Sequence, residues 1–367
     1  MAVLDQDPAG SRTGVRASDG ASLPVWLRGI DPGVWLVGLF LLFVPAFTND
    51  FIQFQIFGWS FVLGMIALSL MFLAGYGGMV SLVQMTVACV AGYMTAIFGH
   101  SAFESISFFW PLWIAVPIAI LVAVVFGTLT GALAVRTTGI YTIMITLAIA
   151  AAFYYFGEQN YSILNGHQGF NSVAAPIVFG IDFHDSTPFY YLSLCLAALS
   201  YFVVLYISRS PFGLALQGIR DNPRRMAAIG FNVTAHRIAA YAFAAFIAAI
   251  AGILLTWQNG QISPFTAGIG PVIDILVIAV IGGLGHPIGP FIGALIYVVL
   301  RTFAIDILQN VGLDPSRFNL LVGFGFLVIV FWSPDGVLGL WTRWRDRSRD
   351  RDPLTGAQNT GDRREGP

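Results

Sequence analysis

Long stretches without a charged side chain constrain this chain more than any other feature. Several windows of 18 or more residues contain no Asp, Glu, Lys or Arg. About 20 consecutive apolar residues in an α-helix cross the hydrocarbon core of a bilayer. Charged residues make up 10% of the chain and its mean hydropathy is +0.77, whereas soluble domains carry about 25% charged residues. The sequence therefore predicts an all-α fold, that of a polytopic α-helical integral membrane protein.

Ten apolar segments are the candidates for transmembrane helices. They lie at 34–49, 52–74, 79–99, 109–134, 139–157, 187–208, 237–258, 271–283, 288–305 and 318–334. Together they define a transmembrane domain at 34–342. The polar and charged segments 1–33 and 343–367 flank it, and we predict that both are disordered tails.

The positions of arginine predict the orientation. All 18 basic residues are Arg, and short loops rich in Arg stay on the cytoplasmic side. The loop at 208–237, Arg136 and both tails are therefore predicted to be cytoplasmic. The loops at 100–108 and 158–186 contain acidic residues and no Arg, as expected on the outer side.

Two glycine-rich breaks, the first at 75–78 and the second at 282–290, interrupt the apolar segments. The second break, 282–290, is a poor continuous helix, and a reversal there is needed to return the C-terminus to the cytoplasm. Irregular backbone at membrane depth is tolerated where protein or water satisfies it, as along a substrate pathway or at a hinge. The alternative is close helix packing through small residues. The candidate pathway or hinge residues are Gly75, Gly77, Gly78, Ser81, Gly282, Gly283 and Gly285.

The 208–237 loop is the longest polar interruption of the apolar body and has the pattern of two short helices. Phe212, Leu216 and Ile219 fall at helical spacing on one face. Asn222 can cap a second helix that has Pro at its first position and Gly230 just past its end. A transporter driven by a separate ATPase presents such an element to it; the alternative is a surface helix without a partner. The candidate contact residues are Phe212, Gly213, Leu216, Ile219, Arg220, Asp221, Asn222, Arg224, Met226, Ile229 and Gly230.

Asp274 is the one acid well inside an apolar run, which makes it a candidate functional residue. Structural pairing, or solvation near the outer interface, is the competing interpretation. No other pattern indicates chemistry: the absence of Lys excludes a standard P-loop, and His and Cys lack metal-ligand spacing. We therefore expect no catalytic residues, no cofactor, no metal and no nucleic-acid partner.

Four patches together resemble the permease subunits of the branched-chain (hydrophobic) amino acid ABC importers, in their LivM-like branch. The resemblance runs from about residue 58 to residue 341, most of the chain. The patches are 75–82 with 91–93; 136–141 with 146–147; 210–213 with 219–222 and 229–233; and 281–285 with 289–290, 293–294 and 334–336.

The resemblance implies a multi-pass permease of the bacterial inner membrane, without enzymatic activity of its own. Its partners would be a second homologous permease, two cytoplasmic ABC ATPase subunits and an extracytoplasmic solute-binding protein. The 208–237 loop would be the coupling element that contacts the ATPase. Branched-chain or other small amino acids are the implied substrates, and relatives that move urea or short amides share the scaffold. An ion-coupled secondary transporter that uses Asp274 is the alternative from another class.

Overall fold

The computed structural model describes residues 32–99, 110–137, 139–173, 175–178 and 180–310, together with Gly323 and Gly336. Contacts divide the chain into two units, 1–41 and 42–367. In the first unit only residues 32–41, which belong to the first helix, are described, and every contact given below lies within the second unit. The predicted tails lie outside the described residues, apart from 32–33, and so does the predicted span 318–334 apart from Gly323.

Eleven α-helices account for most of the described residues. They are α1 Pro32–Phe43, α2 Trp59–Met71, α3 Gln84–Phe98, α4 Leu112–Ala134, α5 Ile140–Gln159, α6 Ser186–Arg209, α7 Pro211–Asp221, α8 Pro223–Ala228, α9 Val233–Asn259, α10 Ile269–Gly282 and α11 Gly289–Asn310. Two π-helical stretches, Ile52–Gly58 and Phe72–Tyr76, continue α2 at its two ends.

Among the described residues, five continuous helices are long and apolar enough to cross a membrane. They are Ile52–Tyr76, α4, α5, α6 and α9, and each coincides with a predicted span. The predicted spans 79–99, 271–283 and 288–305 correspond to the shorter apolar helices α3, α10 and the first part of α11. The prediction of a polytopic helical membrane protein is confirmed.

Small residues bring α9 against its neighbours at the centre of the bundle. A Cβ added to Gly252 would meet the backbone of Ala88 on α3, and one added to Gly127 of α4 would meet Ala245. Lipid tails are as apolar as side chains, so helix association in a membrane depends on this kind of close packing. Of the five long helices, Ile52–Tyr76 is the most enclosed: 89% of its most apolar 18-residue stretch is buried inside the protein, against 22% for α4 and for α5.

Short strands close the predicted outer side. β1 (Phe170–Asn171) pairs antiparallel with β4 (Gln261–Ile262), and β2 (Ile177–Val178) pairs with β3 (Ile181–Asp182). The first pairing ties the segment after α5 to the end of α9. Both cysteines lie in apolar runs, which predicts that both are buried. Cys89 is buried, but Cys195 is exposed on α6, so the prediction is wrong for Cys195.

Candidate functional site

The first glycine-rich break ends the helical run that contains α2. The π-helical stretch Phe72–Tyr76 widens the helix, and Gly78 then takes a φ of +65°, a conformation that favours glycine. The N–H groups of Gly77 and Met79 both donate to the carbonyl of Leu73, at 3.1 and 3.0 Å. The helix therefore ends in a closed turn, in which the N–H groups that follow it donate to a carbonyl of its last turn.

The second break reverses the chain between α10 and α11, as the sequence predicts. Gly283 has a φ of +103°. A Cβ on Gly282 would collide with the carbonyl of Gly289, and a Cβ on Gly293 would collide with the carbonyl of Ile278. The two helices therefore approach each other through glycine backbone. At the tip, no atom of the described residues lies within 4 Å of the position that a Cβ of Gly285 would take.

The two breaks touch. A Cβ on Gly75 would collide with the backbone carbonyl of Leu284, which belongs to the second break. Gly336, from the last part of the fourth patch, lies against Gly283 in turn. Residues far apart in the sequence are thus gathered at one end of the bundle.

Arg220 connects the loop helix α7 to this point. Its Nη1 donates a hydrogen bond to the carbonyl of Gly75, and its aliphatic stem lies where a Cβ on Gly78 would be, 2.6 Å from Cγ. Its Nε also donates to Oδ1 of the neighbouring Asp221, at 3.0 Å. The loop is thereby attached to the first break, and through Gly75 to the second.

The loop folds as the capping residues predict. The side chain of Asn222 accepts a hydrogen bond from the N–H of Arg225 at 2.9 Å, and Pro223 begins α8. Gly230 has a φ of +101° and donates to Ala227, while the next N–H donates to Met226. This pair of bonds is the Schellman pattern that ends a helix at a left-handed glycine.

The apolar face of α7 does not point where the sequence argument placed it. Leu216 and Ile219 are fully buried inside this chain. They therefore do not form an exposed face for a partner, contrary to the prediction. Gly213 packs on Ile207 and Ser208 of α6 rather than facing outward. Because Phe212 is half-buried and stacked on His236 with ring centroids 5.6 Å apart, its ring also supports the loop from within.

Other apolar side chains of the loop are exposed instead. Leu214, Ile229 and Phe231 are 60, 67 and 38% exposed; Leu214 and Phe231 were not predicted. Arg224 is also exposed, and Met226 is half-buried against Gly218. An amphipathic pattern gives the apolar face of a helix, but it does not say whether the same chain or a partner covers that face.

The chain after the first break leads to a cavity of about 310 Å³. Ser81 is fully buried next to Tyr241 of α9, and the N–H of Leu82 donates to the hydroxyl of Thr146 at 3.1 Å. The cavity is bounded by Gly78, Met79, Val80, Thr137, Gly139, Ile140, Thr142, Ile143 and Arg237. The second patch therefore meets the first around this cavity, and Arg237 lines it from the start of α9.

Asp274 lies away from the breaks, half-buried on α10. Its carboxylate is within hydrogen-bonding range of the Tyr297 hydroxyl and interacts with the charge of Arg301, both on α11. The acid thus links the two helices of the hairpin. Within the described residues there is no group of three or more His, Cys, Asp or Glu side chains that could hold a metal ion.

Known proteins resemble this chain over most of its length. The family whose model matches residues 52–331 is described as branched-chain amino acid transport system / permease component. The high-affinity branched-chain amino acid transport system permease protein LivM of Salmonella typhimurium is 25% identical over 297 residues, which is 74% of this chain and 65% of LivM. This chain therefore spans just under two thirds of that relative.

Two further relatives carry different descriptions. The high-affinity branched-chain amino acid transport system permease protein BraD of Pseudomonas aeruginosa is 30% identical over 169 residues, covering 44% of this chain and 52% of BraD. The ribose import permease protein RbsC of Haemophilus influenzae is 22% identical over 256 residues, covering 68% of this chain and 76% of RbsC. No solved structure matches the chain.

Proposed function

The chain belongs to the family of permease components of branched-chain amino acid transport systems, and on that premise we propose that it is the membrane permease subunit of an ABC importer. It moves branched-chain or other small amino acids that an extracytoplasmic binding protein delivers. A second homologous permease completes the pathway. Two cytoplasmic ATPase subunits supply the energy, so this chain needs neither a catalytic residue nor a cofactor of its own.

The position of Arg220 is the observation that carries this proposal. Coupling requires that a movement of the ATPases be passed to the spans through physical contact. Arg220 belongs to the loop helix α7 and bonds the carbonyl of Gly75. Gly75 in turn lies against Leu284. A displacement of the loop therefore reaches both breaks through two direct contacts.

The orientation predicted from the positions of arginine gives the proposed organisation of the chain in the membrane. Residues 1–33 and 343–367 are cytoplasmic tails, 34–342 is the permease domain, and 208–237 is the coupling loop on the cytoplasmic face. The strands after α5 then face the binding protein. In a variant that lacks Cys195, thiol labelling from outside should modify a cysteine introduced at Ile163, which is 54% exposed, and not one introduced at Thr355. Labelling at residue 355 alone would mean that the proposed orientation is inverted.

Substrate class is proposed from the relatives rather than from a recognised binding site. Relatives are described as permeases for branched-chain amino acids, ribose, fructose and nucleosides. The identity to LivM of Salmonella typhimurium covers more of this chain than that to RbsC of Haemophilus influenzae, 74% against 68%. This favours amino acids, with urea and short amides as the alternative for the same machinery.

Uptake into vesicles tests the function directly. Vesicles that contain this permease and its associated subunits enclose ATP, and the binding protein is added outside with labelled Leu, Ile, Val, urea or ribose. We expect amino-acid uptake that requires both ATP and the binding protein and that survives an ionophore. Uptake that follows an ion gradient without ATP would support the secondary transporter and make the importer proposal wrong.

Two isoleucines of the loop give a matched test of the coupling surface. Ile219 is fully buried and Ile229 is 67% exposed. Ile219→Ala should lower the free energy of unfolding by roughly 2–5 kcal/mol. The loss is detected as a lower thermal midpoint. Ile229→Ala should change stability by less than about 0.5 kcal/mol, but it should weaken co-purification of the ATPases, because a buried apolar anchor of an interface is worth about 2 kcal/mol.

Arg224→Ala is the control for this experiment, since an exposed charge at an interface rim contributes roughly 0–1 kcal/mol. It should reduce co-purification less than Ile229→Ala does. If Leu214→Ala and Ile229→Ala together leave both co-purification and uptake unchanged, the loop is not the coupling element.

A further inference from the structure

The cavity beside the first break has the chemistry of an anion site, which neither the family nor the coupling proposal explains. Arg237, at the start of α9, lines it. The Nε atom of Arg237 is buried and has no hydrogen-bond partner among the described residues. Leaving a buried charged donor unpaired is costly. An anion in the cavity would remove that cost.

The other walls of the cavity favour the same charge. Gly139 and Ile140 form its rim at the N-terminus of α5, a helix of 20 residues whose N-cap residue, Gly139, has no side chain that could accept a hydrogen bond from the first turn. Such an end attracts anions through its free N–H groups and its dipole. The described residues that line the cavity include no Asp or Glu. Arginine and a helix N-terminus therefore face one space without an acid to neutralise them.

The cavity also opens towards the lipid. Ile140 lines it and is nevertheless 74% exposed. Tyr141 and Met144 follow on α5 with most of their surface exposed. An exposed apolar row on a membrane-spanning helix faces acyl chains, and Tyr is typical of the level of the headgroups. A molecule with a charged end in the cavity could lay its apolar end along α5.

We propose that this cavity binds a phosphate group, and specifically the headgroup of an anionic phospholipid of the cytoplasmic leaflet. The guanidinium of Arg237 pairs with phosphate oxygens in a geometry that Arg favours. Basic pockets between transmembrane helices on the cytoplasmic side are suited to acidic headgroups. The proposed orientation decides only which leaflet supplies the lipid. The binding of the headgroup in the cavity does not depend on it.

Lipid binding to the purified protein tests the proposal. The full chain, purified in a non-ionic detergent with its associated subunits, is titrated with dioleoylphosphatidylglycerol, and bound lipid is counted by native mass spectrometry. Arg237→Gln should weaken the tightest binding step by roughly fivefold or more. Arg237→Lys should keep part of the affinity. Arg224→Gln removes the same charge from the same loop outside the cavity and should change nothing.

Two further arms identify the source of the phosphate. Dioleoylphosphatidylcholine, which has a phosphate but no net charge, should bind more weakly than the glycerol lipid. Inorganic phosphate should fail to displace the lipid. If one phosphate ion per protein instead replaced the bound lipid, the site would belong to a soluble phosphate compound. Equal binding of both lipids, or equal loss in Arg237→Gln and Arg224→Gln, would overturn the proposal.

A second variant covers the case in which Arg237→Gln does not fold. Ile140→Glu places a carboxylate at the exposed rim and should abolish the tight binding step while the thermal midpoint stays near that of the wild type. Retention of that step in Ile140→Glu would also reject the site. Because no arm measures transport, these outcomes are independent of whether the importer proposal holds.

Discussion

The two glycine-rich breaks look alike in sequence but differ in what surrounds them. At the second break, the space that a side chain of Gly282 would need is filled by the backbone of Gly289. At the first break, the space beside Gly78 is filled by the flexible stem of Arg220. Backbone can move only with its helix, whereas an arginine stem can rotate. The second break is therefore a fixed joint, and the first is a joint that the loop can adjust.

This difference separates two uses of glycine in one membrane protein. In the α10–α11 hairpin, glycine permits the closest approach of two helices. At the end of α2, it leaves room for a side chain from another element to hold a carbonyl. Since Gly75 touches Leu284, the adjustable joint rests directly on the fixed one.

The largest effect is expected where backbone meets backbone. Gly282→Ala puts a methyl group on the carbonyl of Gly289, so the hairpin has to open. We expect a loss of roughly 3 kcal/mol or more in stability, as overpacking without relief produces, and a strong fall in the yield of assembled protein. The thermal midpoint of the purified protein and its elution profile measure both.

Gly285→Ala is the matched control, because none of the described residues lies within 4 Å of a Cβ at that position. It should be close to wild type in both measurements. Similar losses in the two variants would mean that the hairpin tip, rather than backbone contact, limits substitution, and the contrast between the breaks would fail.

An intermediate effect is expected at the adjustable joint. Arg220→Gln removes the hydrogen bond to the Gly75 carbonyl, a contact with a charged donor worth about 1.5–3 kcal/mol. Because α7 keeps its buried Leu216 and Ile219, the protein should assemble, while uptake falls by about tenfold and ATP hydrolysis persists. Transport and hydrolysis in the same vesicles measure this uncoupling.

Arg224→Gln serves as the control for that variant, since this side chain is exposed and the structure records no hydrogen bond for it among the described residues. It should retain coupling. If Arg220→Gln transports as well as Arg224→Gln, the contact with Gly75 is not part of the coupling path.

The smallest effect is expected at Asp274, within the fixed hairpin. Asn at this position is still able to bond the hydroxyl of Tyr297, so Asp274→Asn should leave uptake within about threefold of wild type, in keeping with the roughly 0.6 kcal/mol that a hydrogen bond between membrane helices contributes on average. Expression can change slightly. Loss of uptake in an intact complex would show that transport needs the charge, and it would favour the ion-coupled alternative.

Local chemistry made the loop and the spans predictable. Asn222, Pro223 and Gly230 act within one or two turns of the backbone, so the sequence contains all that fixes the ends of α8. Hydropathy likewise predicts the spans, because it depends only on the residues within each segment. Burial of Leu216 and Ile219 was not predictable, because the residues that cover them come from other elements.

The contact between the breaks could not be predicted either. Gly75 and Leu284 are 209 positions apart (284 − 75 = 209), and no local pattern links them. The π-helical stretch Phe72–Tyr76 is equally invisible, since its composition suits an ordinary α-helix. The sequence pattern draws attention to these glycines, but the residues that contact them are known only from the fold.

That separation also sets a timetable for synthesis of the protein. Ribosomes add about 5–20 residues per second, so Leu284 follows Gly75 by roughly 10–40 s. Arg220 emerges 64 residues before Leu284 (284 − 220 = 64), and the carbonyl of Gly75 can receive its hydrogen bond before the second break exists. A substitution at Arg220 therefore removes a contact that precedes the second break during synthesis, and Leu284 then has to meet a Gly75 that Arg220 does not hold.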